Sequence, residues 1–73
     1  MIDRNTYKKL GAKIAYLRKS KRYSQERFAE KIDISEIYMG QIERGEANPT
    51  LEKLIAIAGA LGVEMRELFT FSF

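Results

Sequence analysis

The chain has no cysteine and no histidine among its 73 residues, and only one proline. Without cysteine there are no disulfides and no thiol nucleophiles, and without histidine as well the usual zinc sites are gone. Histidine is also the one side chain that ordinarily titrates near neutral pH, so acid–base catalysis loses its commonest group. Long hydrophobic runs are missing too. The longest, residues 54–63, is interrupted by two glycines and falls well short of the roughly 20 residues needed to cross a bilayer. The N-terminal MIDRNTYKKL has no apolar signal-peptide core. These absences lead us to expect a cytoplasmic protein with no membrane contact, no cofactor and no metal.

What is present fits one small domain over residues 1–73, with a hydrophobic content of 45% that is globular rather than disordered. A core this small leaves a thin margin of stability, which a partner subunit would widen. Net charge is only +3, but it is unevenly spread: residues 1–31 carry ten Lys or Arg against three acids, and residues 32–73 carry three against seven. The basic half includes KSKR at 19–22. Such a stripe is the footprint of phosphate binding, or else an ordinary solvated helix surface.

Residues 24–45, SQERFAEKIDISEIYMGQIERG, read as two short helices joined by a tight turn. Ser24 caps the first, Glu26 suits its positive end, and Phe28, Ala29 and Ile32 share its inner face. Asp33 tolerates a left-handed turn, and Ile34 beside it can plug the core. Ser35 caps the second helix and Gly45 stops it. At about 100° per residue, Tyr38, Met39 and Ile42 fall on one side of that helix, and Glu36, Ile37, Gly40, Gln41 and Arg44 on the other. An exposed Ile, a mid-helix Gly and two side chains able to bond bases make an odd solvated face but a sensible reading face for a DNA groove.

Upstream, Tyr7, Leu10, Ile14 and Leu17 predict an opening helix over about residues 6–20. Downstream, EANPT is a loop, Thr50 caps a fourth helix with Leu51, Leu54, Ile55, Ala58 and Leu61 on its apolar face, and Gly62 closes it. A short fifth helix is expected over residues 64–69. The tail, residues 68–73, alternates aromatic and polar residues with a period of two, which suits an extended strand. Its aromatics exceed what one small subunit can bury, so Met65, Phe69, Phe71 and Phe73 are candidates for a dimer interface, with residues 70–73 as a dimerisation tail. The alternative is that they fold back on Leu61 and Met65.

Three spaced pieces, LGAKIAYLRKSKRYSQERFAEKI, IERGEANPTLEKL and ALGV, make residues 10–69 resemble the lambda-repressor-like helix-turn-helix family, also called Cro/CI or XRE. Within it, YMGQIERGEANPTL is most similar to the small controller proteins of restriction-modification systems. The resemblance implies an all-α, compact five-helix DNA-binding domain with its helix-turn-helix at about residues 24–44. It implies phosphate contacts at Ser24, Gln25, Tyr38, Arg44 and Asn48, and a structural ion pair between Arg18 and Glu43. Tyr38 keeps two readings, because its helix angle places it with the core. Asn48 also has a local alternative, shaping the turn before Pro49. Many relatives carry Gly where Arg22 stands, which points to strain or a reshaped turn there.

Base contacts are expected from Glu36, Ile37 and Gln41. Ile37 suits a thymine methyl and Gln41 an adenine edge, while Glu36 could accept from cytosine. Controller relatives often have a base at the position of Glu36, so their target sequence does not transfer. The function that follows is a transcriptional regulator binding double-stranded DNA as a homodimer on a pseudo-palindromic operator, with RNA polymerase as a further partner. Two rivals are an antitoxin of the same fold and a helical protein–protein interaction module. An enzyme is disfavoured because no nucleophile–base pair or metal cluster appears.

Overall fold

Each α-helix of the chain starts where a short polar side chain satisfies a backbone N–H that the first turn leaves open. In the computed structural model, which describes residues 3–71, Asp3 accepts from the Asn5 N–H, Ser24 from Arg27, Ser35 from Tyr38 and Thr50 from Lys53. The helices that follow are α1 (Arg4–Ser20), α2 (Gln25–Lys31), α3 (Glu36–Glu43) and α4 (Leu51–Leu61). The opening helix begins two residues earlier than its apolar pattern suggests, because the cap is Asp3 rather than a residue nearer Tyr7.

The four α-helices also end alike. Arg22, Asp33, Gly45 and Gly62 all have positive φ, between 59° and 75°. In each case the left-handed residue donates its N–H three residues back and the next residue donates five back: Arg22 to Lys19 and Tyr23 to Arg18, Asp33 to Glu30 and Ile34 to Ala29, Gly45 to Ile42 and Glu46 to Gln41, Gly62 to Gly59 and Val63 to Ala58. These are Schellman closures, which satisfy carbonyls that a helix end otherwise leaves open. Arg22 therefore keeps the left-handed turn and does not reshape it. Gly45 is needed twice over, since a Cβ there would lie 2.7 Å from the Lys8 backbone.

The core draws on every element: Leu10 and Ile14 from α1, Phe28 and Ala29 from α2, Met39 and Ile42 from α3, Leu54, Ile57, Ala58 and Leu61 from α4, and Leu68. Tyr23 meets Phe28 edge-on at 5.5 Å. Gly11 lets α1 cross α3 in direct backbone contact, because a Cβ there would overlap the Ile42 carbonyl and come within 2.6 Å of that of Glu43.

Three expectations need correction. The fifth element, Met65–Phe69, is a 3-10 helix without a side-chain cap, so the described residues hold four α-helices; 3-10 winding is common in helical pieces this short. The extended tail does not begin at Leu68, which lies inside that 3-10 helix and is fully buried. No strand forms among the described residues. On α4 the buried stripe is Leu54, Ile57, Ala58 and Leu61, while Leu51 and Ile55 are 66% and 54% exposed; with almost no polar residues to set the phase, the sequence of this helix is compatible with either face.

A left-handed residue with a β-carbon costs about 1–2 kcal/mol relative to glycine. Replacing Arg22 with Gly should therefore raise the unfolding free energy by about 1 kcal/mol in urea denaturation, and Asp33→Gly should give less because Asp tolerates the region better. A loss of stability on Arg22→Gly would show that its side chain contributes more than the turn costs.

Candidate nucleic-acid interface

α2 and α3 form the helix pair, and α3 shows one face to solvent because the other is anchored. Met39 and Ile42 are buried in the core, while Ile37 on the opposite side is 75% exposed, Glu36 and Arg44 are exposed and Gln41 is half-buried. Tyr38 is half-buried at the core's edge. Gly40 departs from its expected place on the open face: it is buried beneath side chains. A Cβ on it would meet Arg44 Nη1 at 3.0 Å and Gln25 Oε1 at 3.5 Å. The glycine thus lets the start of α2 and the Arg44 side chain lie across α3. Gln25, Glu36, Ile37, Gly40 and Arg44 line a shallow cleft of about 270 Å³ on this face.

The orientation of α3 is fixed at its last residue. Glu43 accepts from Arg18 Nε at 2.7 Å and Nη2 at 3.1 Å, and from Gln25 Nε2 at 2.9 Å, while Arg18 Nη1 donates to the Tyr23 carbonyl at 2.7 Å. The Arg18 and Glu43 side chains are 8% and 7% exposed. One carboxylate thereby joins α1, the first residue of α2 and α3. No buried side-chain polar atom among the described residues lacks a partner. Gln25 is the brace between the two helices of the motif, and Ser24 beside it is exposed with its oxygen capping α2.

The segment after α3 carries Arg44 and Asn48, both exposed. Arg44 makes a two-pronged pair with Glu46, Nε to Oε2 at 3.0 Å and Nη2 to Oε1 at 3.2 Å. The hydrogen bond from Arg44 holds the Glu46 carboxyl below its ordinary range, and the bond to Glu46 pushes the Arg44 guanidinium higher still. Arg4 is a residue that sequence reasoning missed. Its Nη1 donates to the Gly45 carbonyl at 2.9 Å and to Asn48 Oδ1 at 3.2 Å. Its partners lie more than forty residues away, so no local pattern marks it.

The dimer candidates differ in exposure. Met65 is half-buried against the core, Phe69 is exposed and Phe71 is half-buried; Phe73 lies outside the described residues. Leu51 and Ile55, one turn apart on the outer face of α4, add exposed apolar surface that the sequence assigned to the core.

Removing one partner of a buried ion pair strands the other in a poorly solvated place, at a cost of about 3–5 kcal/mol. Glu43→Ala should lower the unfolding free energy by that amount in urea, whereas Gln25→Ala, which leaves the Arg18 pair whole, should cost about 1 kcal/mol. A loss under about 1 kcal/mol for Glu43→Ala would mean that the pair does not hold the helices.

Comparison with known proteins gives a consistent picture. The helix-turn-helix family HTH_3 matches residues 14–68. The chain is 41% identical over 56 residues to the immunity repressor protein of Bacillus phage phi105, covering 77% of this chain but only 39% of that longer protein. It is also 41% identical over 63 residues to the control protein C.MunI of Mycoplasma sp, covering 85% of each. The crystal structure of the restriction-modification controller protein C.AhdI from Aeromonas hydrophila superposes with a TM-score of 0.87 at 36% identity, covering 90% of this chain and 96% of that one. The chain belongs to the helix-turn-helix family HTH_3.

Proposed function

We propose that this protein is a sequence-specific, DNA-binding transcriptional regulator that works in the cytoplasm as a homodimer, with α3 inserted in the major groove. The observation that carries the reading is the open face of α3: an isoleucine three-quarters exposed beside a carboxylate, on a helix whose far side and far end are fixed. A solvated helix gains nothing from an exposed Ile, whereas in the groove it meets the C5-methyl of thymine. Glu36 supplies an acceptor for cytosine N4, and Gln41 a donor–acceptor pair for adenine. Gln25 and Arg44 line the cleft on this face, and with Ser24, Tyr38 and Asn48 they would supply phosphate contacts, which set register without reading sequence.

The names of the relatives support the regulatory half of the proposal, since they are a phage immunity repressor and controller proteins. One reading helix of eight residues gives a small interface, so specific affinity calls for two. Leu51, Ile55 and Phe69 offer apolar surface for a second copy, and the proposed interface would extend through Met65 and Phe71 to Phe73. Two-fold pairing would set the reading helices about 34 Å apart, on half-sites one DNA turn apart. Contact with RNA polymerase at one operator and promoter blockage at another would give the two signs of regulation. The chain carries no catalytic role in this account.

Selection of bound sequences from random DNA should return a pseudo-palindrome. Ile37→Ala and Gln41→Ala should each relax preference at one or two base pairs by about 1–3 kcal/mol; equal loss on every sequence would show that neither residue reads bases. In ultracentrifugation, Ile55→Lys should shift dimer to monomer while the helical circular-dichroism spectrum stays unchanged. An intact dimer would remove the α4 face from the interface.

A further inference from the structure

We propose that Arg4 is a positioning residue for DNA binding, acting through Asn48: it takes the oxygen end of the Asn48 amide and leaves both amide N–H groups to face a DNA phosphate. The inference deepens the DNA reading given above and rests on it. Arg4 Nη1 lies 3.2 Å from Asn48 Oδ1 and 2.9 Å from the Gly45 carbonyl. A guanidinium has donors only, so the Asn48 atom it bonds must be the oxygen. The nitrogen is then left pointing away from Arg4, on an exposed loop that follows the reading helix. An amide presented the other way round would offer its oxygen to a phosphate and repel it.

The anchor is rigid enough to impose this choice. The Arg4 guanidinium sits 5.0 Å over the Tyr7 ring, a cation–π contact that limits its freedom. Gly45, which also accepts from Arg4, packs so closely on Lys8 that no β-carbon fits between them, so the start of the loop and the first turns of α1 are one body. Pro49 restricts the backbone of Asn48 from the other side, and Thr50 next to it is fixed as the cap of α4. The Asn48 amide is therefore an adjustable group on a backbone held at both ends, and Arg4 is what sets it.

A double-mutant cycle on the full chain tests the assignment, with binding to a duplex chosen from random DNA measured across a range of salt. Asn48→Ala should weaken binding roughly tenfold, the loss of one charge-assisted contact, and Arg4→Ala, which leaves the amide present but free to turn either way, should weaken it measurably and by no more than that, both on every sequence alike and with base preference unchanged. The double variant should be no weaker than Asn48→Ala alone. Because Arg4 is not itself on a phosphate, Arg4→Ala should leave the dependence of log K on log salt within less than one phosphate equivalent of the wild type. Multiplying losses, a slope reduced by about one, or an Arg4→Ala variant that binds like the wild type would each overturn the assignment.

Asn48→Asp guards against a folding artefact. It keeps an oxygen for Arg4 and so should melt at or above the wild-type temperature, yet it should bind DNA at least as poorly as Asn48→Ala; wild-type binding by this variant would overturn the proposal. The two layers of the account fail differently. A wild-type chain that recovers no duplex from random DNA defeats the DNA reading itself, whereas a wild type that binds with an additive cycle defeats only the role of Arg4.

Discussion

The carboxylate of Glu43 is where the geometry of this protein is decided. Three donors converge on it, two from Arg18 in α1 and one from Gln25 at the start of α2. The pair is almost wholly buried, and a buried pair is weak evidence for stability as such, because desolvation offsets most of the attraction. Its effect is on arrangement. An apolar contact at the end of α3 would let the helix roll, and a roll of one residue, about 100°, would turn Ile37 from solvent into the protein. A two-pronged bond between a planar guanidinium and a carboxylate permits little of that. The backbone contact at Gly11, where α1 touches the last carbonyls of α3, fixes the same junction by shape.

From that junction the rest of the interface follows outward. The amide of Gln25 must point its nitrogen at Glu43, since an ionised carboxylate only accepts, and its oxygen therefore lies over Gly40 beside Arg44. Beyond Gly45 the chain turns back against α1, where Arg4 takes hold of it. The helix that would read bases and the loop that would meet phosphates are both fastened to α1, one at each end of that helix. α1 thus acts as the frame of the site, although none of the base readers expected at Glu36, Ile37 and Gln41 lies on it.

Much of this could be read in the sequence. The caps at Ser24, Ser35 and Thr50, the left-handed turn at Asp33 and the stops at Gly45 and Gly62 depend on neighbours within a few residues, and local chemistry is sufficient to place them. The phase of α3 was legible because its apolar and polar residues alternate with a helical period. On α4 the charged residues, Glu52 and Lys53, stand in the first turn, and the turns after it are apolar or glycine on every side, so the sequence places Leu51 and Ile55 inside and passes over Ile57. The 3-10 winding of Met65–Phe69 was illegible because a five-residue segment has too few positions to separate one helical pitch from another. Gly11 and Arg4 matter through partners far along the chain, and Gly40 through Gln25 in α2 as well as Arg44 one turn on, so only the assembled fold shows what each of them touches. Arg18 and Glu43 were found through a family resemblance, since a spacing of 25 residues carries no local signal.

If α3 enters DNA as proposed, it does so on a frame that does not move. Side-chain NMR during titration with a selected duplex reports on both halves at once, using the Ile37 methyl for the face and the Arg18 Nε–H for the frame. The Ile37 methyl should shift strongly while the Arg18 Nε–H resonance stays in place and protected from exchange. An Ile37 methyl that does not respond to bound DNA, or an Arg18 Nε–H that is lost on binding, would contradict it.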